Sequence, residues 1–124
     1  MKTQSLVALL LVAGASACSY ARRDPTMYRD DSRQLLSSRN DAIKGCYDEA
    51  LKQNPQTAGV VVVNLTIAKD TGQVSDARID QQQTTAPASL GQCITRSVEG
   101  LKLEPADAND GIATFRWEFK PRAG

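Results

Sequence analysis

The sequence predicts an α+β domain in the order helix, strand, strand, helix, strand, with a three-stranded antiparallel sheet and two helices packed on one face. Three observations carry that expectation. Residues 59–68 form a β-branched run, apolar residues on either side of it recur at helical spacing, and residues 112–120 alternate between aromatic and charged side chains.

The first helix is expected between Ser32 and Gln53, where Leu36, Ile43, Cys46, Tyr47, Ala50 and Leu51 fall mostly three, four or seven apart. Ser32 or the Asp pair before it can cap its start, and the polar stretch from Ser37 to Asp41 leaves a start near Ser38 open. Asn54-Pro55 ends it, because the residue before a proline is driven out of the helical region. In GVVVVNLTIA the residues Val61, Val63, Leu65 and Ile67 share one face of a strand. Lys69-Asp70-Thr71-Gly72 supplies the turn, Gly72 meeting the positive φ that a tight hairpin needs. A second strand is expected from Gln73 to about Gln82, burying Val74, Ala77 and Ile79.

Pro87 suits the first turn of a second helix. In that helix Leu90, Cys93, Ile94, Ser97, Val98 and Leu101 draw a single narrow stripe, and Gly100 and Pro105 bracket its end. After a turn over Asp107 to Gly111 the last strand places Ala113, Phe115, Trp117 and Phe119 on one face and stops at Pro121.

The chain begins MKTQSLVALLLVAGASAC, with one basic residue, an apolar run from Leu6 to Ala13 and small residues leading into Cys18. That pattern is a secretory signal, expected to occupy residues 1–17, and its apolar run is shorter than the roughly 20 residues a membrane-spanning helix needs. Ala15-Ser16-Ala17-Cys18 resembles a bacterial lipobox, with Ala15 where leucine is usual, so Cys18 is the candidate lipidation site; Ser19 after it fits sorting to the periplasmic side of the outer membrane. The same Ala-x-Ala also suits ordinary signal peptidase, which would release a soluble periplasmic or secreted protein. Residues 18–31, polar and mixed in charge, are expected to be a flexible tether able to hold the domain up to roughly 40 Å from its anchor. The domain itself is expected over residues 32–124.

Three cysteines are an odd number for an exported chain. With Cys18 carrying lipid, Cys46 and Cys93 remain, one on the apolar stripe of each helix. A disulfide between them would close a loop of about 48 residues and contribute on the order of 4 kcal/mol. Two separate buried thiols are the alternative.

The sequence contains no histidine, which excludes the commonest proton shuttle and metal ligand. It also shows no phosphate loop, CxxC pair or Asp-rich calcium loop, so no cofactor, no metal and no enzymatic activity are expected. Lys and Arg number 15 against 14 Asp and Glu, so no charge-driven attraction to nucleic acid or acidic lipid is implied. Asp76, Arg78 and Asp80 alternate on the second strand, where a catalytic carboxylate pair is a possible reading and simple solvation the ordinary one.

Cys46-Tyr47-Asp48-Glu49-Ala50-Leu51, then Asn54-Pro55, Gly59 before the valine run, Asp70-Thr71-Gly72-Gln73-Val74, Cys93-Ile94 and Pro105-Ala106 together resemble the TonB C-terminal domain superfamily, closest to the AgmX/PglI C-terminal type of gliding bacteria. The resemblance covers residues 43–119. It departs at Leu101, Leu103 and Glu104, where that family usually has aromatic residues before its Pro-Ala. The inner-membrane helix and Pro-rich spacer of TonB itself are not found. The resemblance implies a binding fold whose sheet edge accepts an extended segment, so the expected partner is an envelope protein of a motility or transport complex. Ile112, Thr114, Arg116, Trp117 and Glu118 of the last strand are the candidate contacts, Arg116 and Glu118 selecting among peptides and Trp117 serving either the interface or the core. A structural or peptidoglycan-associated envelope lipoprotein, binding nothing at that edge, is the competing reading.

Overall fold

A computed structural model describes residues 20–121, in the order α1 (Pro25–Ser37), α2 (Asn40–Gln53), β1 (Gly59–Ile67), β2 (Val74–Ile79), α3 (Ala88–Val98) and β3 (Gly111–Phe119). The fold is α+β, with an antiparallel sheet of strand order β2-β1-β3. The expected signal segment and Cys18 lie outside the described residues, and no helix among those residues is long and apolar enough to cross a membrane.

β1 is the middle strand because its side chains are apolar on the helix face throughout. Val61, Val63, Leu65 and Ile67 are all at most 1% exposed and meet Ile43 and Cys46 of α2 and Leu90, Ile94 and Val98 of α3. The opposite face of the sheet carries Asp76, Arg78, Thr114, Arg116 and Glu118 and is largely open to water, as antiparallel sheets allow.

In β2, Val74, Ala77 and Ile79 do not fit a strict two-residue period. The structure reconciles them: the register shifts between Thr66 and Ile67, leaving Ser75 as an extra residue, and the bulge turns Val74 onto the face shared with Ala77 and Ile79. Gly72 in the connecting turn adopts φ 72°, and a side chain there would collide with the Leu103 carbonyl.

The N-terminal part corrects two expectations. The first helix is two helices, broken at Ser38–Arg39, where the Ser37 and Ser38 hydroxyls donate back to Gln34 O and Leu35 O, both at 2.6 Å, and compete with the helical ladder. The expected tether is folded from Tyr20 onward. Ala21 pairs with the 106–108 segment, its N–H donating to Ala106 O at 2.9 Å while Ala108 N–H donates to Ala21 O at 3.0 Å. Asp24 then caps α1 by accepting Met27 N–H at 2.8 Å, with Pro25 in the first turn.

What fixes this segment is a buried ion pair. Both the Arg23 and the Asp107 side chains are at most 3% exposed. Asp107 Oδ2 accepts Arg23 N–H at 3.0 Å and the guanidinium at 3.4 Å, Oδ1 accepts Asn109 N–H at 3.0 Å, and the guanidinium also donates to Asp31 at 2.7 Å and Pro105 O at 2.8 Å. A charge this deep survives only when paired and fully hydrogen-bonded.

Candidate functional site

The cysteines of the two helical stripes form a disulfide, Cys46–Cys93, with Cα atoms 5.7 Å apart. It links α2 to α3. Tyr47, next along α2, donates to Thr57 O at 2.7 Å and sets its ring 4.8 Å from that of Phe119, so the same helix also covers the far end of β3.

Among the described residues β3 is an edge strand, paired only with β1 over nine residues. The direction of its free backbone groups follows from β1. Val60 and Val62 spend their N–H and C=O groups on the residue 80–86 loop: Asp80 N–H reaches Val62 O at 2.8 Å, Thr85 N–H reaches Val60 O at 2.9 Å, and the two valine N–H groups meet Thr85 and Thr84 Oγ1 at 2.9 and 3.0 Å. Alternation then turns Val61, Val63 and Leu65 toward β3, facing Trp117, Phe115 and Ala113. The residues left pointing outward from β3 are Ile112, Thr114, Arg116 and Glu118. Among the described residues no backbone group bonds to them from that side.

The side chains divide the same way. Ile112, Thr114, Arg116 and Glu118 are exposed on the open face, Ile112 at 81%. Thr114 donates to Asn64 Oδ1 at 2.7 Å. Glu118 sits between Arg116 at 3.5 Å and Lys120 at 3.3 Å; the hydrogen bond from Lys120, its charge and that of Arg116 hold the carboxylate below its ordinary pKa. Phe115, Trp117 and Phe119 are half-buried on the helix face. Trp117 therefore lies apart from the four outward residues, packed beside Phe115 with ring centroids 6.2 Å apart.

α1 makes this edge a groove, and its first part, residues 25–31, falls in the segment expected to be a tether. A cavity of about 510 Å³ opens between Pro25, Tyr28 and Arg29 of α1 and residues 111–115 of β3, with Arg23 and Asp107 at its back. A second, of about 260 Å³, lies between Arg33, Leu36 and Ser37 of α1 and Phe115 and Trp117. The Tyr28 ring fills the space where a side chain at Gly111 would stand, which is why glycine begins β3. Burial pushes the Tyr28 phenol pKa up, with the nearby Asp107 carboxylate adding to the effect. The local signal for α1 was Asp24-Pro25, a capping residue followed by proline; the Arg23–Asp107 pair spans 84 positions and has no local signature.

Asp76 and Asp80 line one surface cavity, and each carboxylate is engaged by other groups. Asp76 is engaged by Arg78 at 2.9 Å. Asp80 accepts the Gln83 side chain at 2.8 Å and the Gln82 and Gln83 N–H groups; the Gln83 side-chain bond leads in holding its pKa below the ordinary value, the opposite of what a general acid needs. Comparison with known families, curated proteins and solved structures found nothing that matches this chain.

Proposed function

We propose that the protein is a non-catalytic, lipid-anchored periplasmic module that takes an extended segment of an envelope protein, within a motility or transport complex, as a fourth strand beside β3. The observation that carries this reading is the nine-residue edge of β3, with outward N–H and C=O groups at four alternating residues and a groove along one side. Main-chain pairing would supply affinity, and side chains of the added strand would alternate between the groove and the open face. On the open face they would meet Ile112, Thr114, Arg116 and Glu118; in the groove they would meet Tyr28, Phe115 and Trp117. The signal, the candidate lipid attachment at Cys18 and a disulfide typical of an oxidising compartment favour the envelope as the setting. The resemblance to the TonB C-terminal superfamily points to the same mode of binding.

The test is capture from envelope extract on immobilised wild type and on Ile112→Pro, which loses one outward donor. The wild type is expected to retain a partner whose binding protects the amides of Ile112, Thr114, Arg116 and Glu118 from hydrogen exchange. Identical retention by both proteins, with no protection along β3, overturns strand addition.

A further inference from the structure

The anchored start of the fold sets where a lipid-bearing Cys18 must lie. From Ala21 the backbone is held against the 106–108 segment, and Arg23 is locked to Asp107 two residues on. Three residue steps separate Cys18 from Ala21, a span of about 10 Å at full extension. That is comparable to the depth of one headgroup layer, since the polar regions add roughly 10–15 Å to a hydrocarbon core of about 30 Å across both leaflets. The reach of roughly 40 Å expected of a tether is therefore lost to folding.

A second observation concerns the same end of the molecule. The exposed large hydrophobic side chains among the described residues are Tyr20 at 46%, Met27 at 52% and Ile112 at 81%. Tyr20 lines a shallow cavity with Thr71, Lys102 and Pro105. Met27 precedes Tyr28, whose ring meets Gly111, and Ile112 follows Gly111. All three thus lie at the end of the sheet where Ile67 pairs with Gly111. Scattered singly they would need no explanation, but here they gather at the end nearest the lipid-bearing residue. Tyrosine is also a favoured side chain at the membrane–water interface.

We propose, resting on the reading that Cys18 is acylated, that the end of the domain formed by Tyr20, Met27, Thr71, Pro105 and Ile112 lies directly on the bilayer surface. Exposed Arg22, Lys69 and Lys102 there are matched by Asp24, Asp70 and Glu104, so the contact depends on the anchor and the apolar side chains and owes little to lipid charge. It also sets the direction of the binding edge. β3 starts at the membrane end with Gly111 and runs nine residues toward Phe119, which pairs with Gly59, so a partner strand is engaged beginning at the lipid surface.

The experiment uses the full acylated chain, extracted from membranes and reconstituted in phosphatidylcholine vesicles carrying a nickel-chelating lipid. In that protein Cys18 is blocked as a thioether and Cys46–Cys93 is oxidised, so Thr71→Cys and Gln56→Cys each provide a single thiol for a spin label. Thr71 belongs to the membrane end, and Gln56 precedes β1 at the opposite end, on the order of 30 Å away along a nine-residue strand. Collisional relaxation by the lipid-borne nickel is expected to be several-fold stronger at Thr71 than at Gln56, to persist when anionic lipid is added or salt raised, and to fall to the Gln56 level when about twelve Gly and Ser residues are inserted between Ser19 and Tyr20. Equal relaxation at both positions in a protein whose mass shows acyl chains overturns the surface contact and leaves the anchor standing. A mass without acyl chains overturns both.

Discussion

The two edges of the sheet are finished differently. β2 is six residues long, carries a bulge at Ser75, and is covered where it begins: Val74 N–H donates to Leu101 O at 2.8 Å, Gly100 N–H to Val74 O at 3.3 Å and Leu103 N–H to Gly72 O at 2.7 Å. The strap that covers it, residues 100–103, continues directly from α3. β3 has nine residues in unbroken register and, among the described residues, no strap; α1 stands beside it and no described backbone group bonds to its outward side. Shortening, bulging and covering are the means by which proteins block unwanted strand pairing, and this chain applies all three to one edge. On the other edge it places only charges, at Arg116, Glu118 and Lys120, and Pro121. Protection on one side with access on the other is what a module recruiting one strand requires.

The covered edge depends on α3, and the largest effects are expected where α3 and its strap are held. Replacing Cys46 and Cys93 together by alanine should lower stability by about 4 kcal/mol, the loop-closure term for a bridge of this separation, read as a fall in the urea midpoint against the oxidised wild type. Hydrogen exchange should show the 72–74 amides losing protection before those of β1, because the strap loosens first. Gly72→Val comes next, at about 3 kcal/mol. A branched side chain at φ 72° is strained, and it drives against the carbonyl of Leu103, the strap residue whose N–H donates to Gly72 O. A Gly72→Val protein as stable as wild type would show that the strap is dispensable.

The open edge depends on the Arg23–Asp107 pair, which holds α1 in position as the wall of the groove. Arg23→Ala should cost about 2–3 kcal/mol, since it leaves Asp107 buried without its countercharge while two backbone N–H bonds persist. The pair also gives stability a pH dependence. Burial by itself would raise the Asp107 pKa, but the bonds from Arg23 and Asn109 N–H, the guanidinium bond and its charge outweigh burial, and the folded value lies below the ordinary one. The unfolded chain then binds more protons than the folded chain once pH falls below about 4, so this stabilisation is present above that pH and is lost as acid reaches the depressed folded value. The urea midpoint of wild type should decline through that acid window, and Asp107→Asn should flatten the decline. An acid profile unchanged by Asp107→Asn would remove the pair from the account.

The contrast between the edges also separates what was legible in the sequence from what was not. Periodicity located β1, the hairpin at Gly72, α3 and β3, because each expresses a local rule that burial in one layer enforces. The disulfide was readable because both cysteines fall on the inward stripes of their helices. The Ser75 bulge was not, although the uneven spacing of Val74, Ala77 and Ile79 required a break in the two-residue period somewhere in β2. Residues 18–31 read as a tether because most of their side chains are polar and no apolar residue among 20–31 is fully buried; the buried positions of α1, Ser32 and Leu36, come after them. What orders residues 20–31 is a charge pair with a residue 84 positions away, and no local pattern encodes that. As a result the outward residues of β3 were nameable from alternation alone, whereas the groove beside them, walled by Tyr28, Arg29 and Arg33, appeared only in the fold.

The smallest stability effect offers the sharpest test of the open edge. Ile112 and Ala113 are neighbours on β3, yet alternation gives them opposite backbone directions: Ala113 faces Leu65 across the ladder, and Ile112 faces outward. Proline removes one N–H at either position. At Ala113 the lost donor leaves a Leu65 carbonyl without its partner inside the sheet, at a cost of about 1–3 kcal/mol, and the ring must also fit against the strand it pairs with. At Ile112 the lost donor had no partner among the described residues and the side chain was 81% exposed, so Ile112→Pro should change stability, read from the urea midpoint, by less than about 1 kcal/mol. Ile112→Pro should nevertheless weaken partner capture, because an added strand would need that donor. If the two prolines destabilise equally, the direction assigned to the β3 backbone is wrong, and the four outward residues lose their claim to the binding edge.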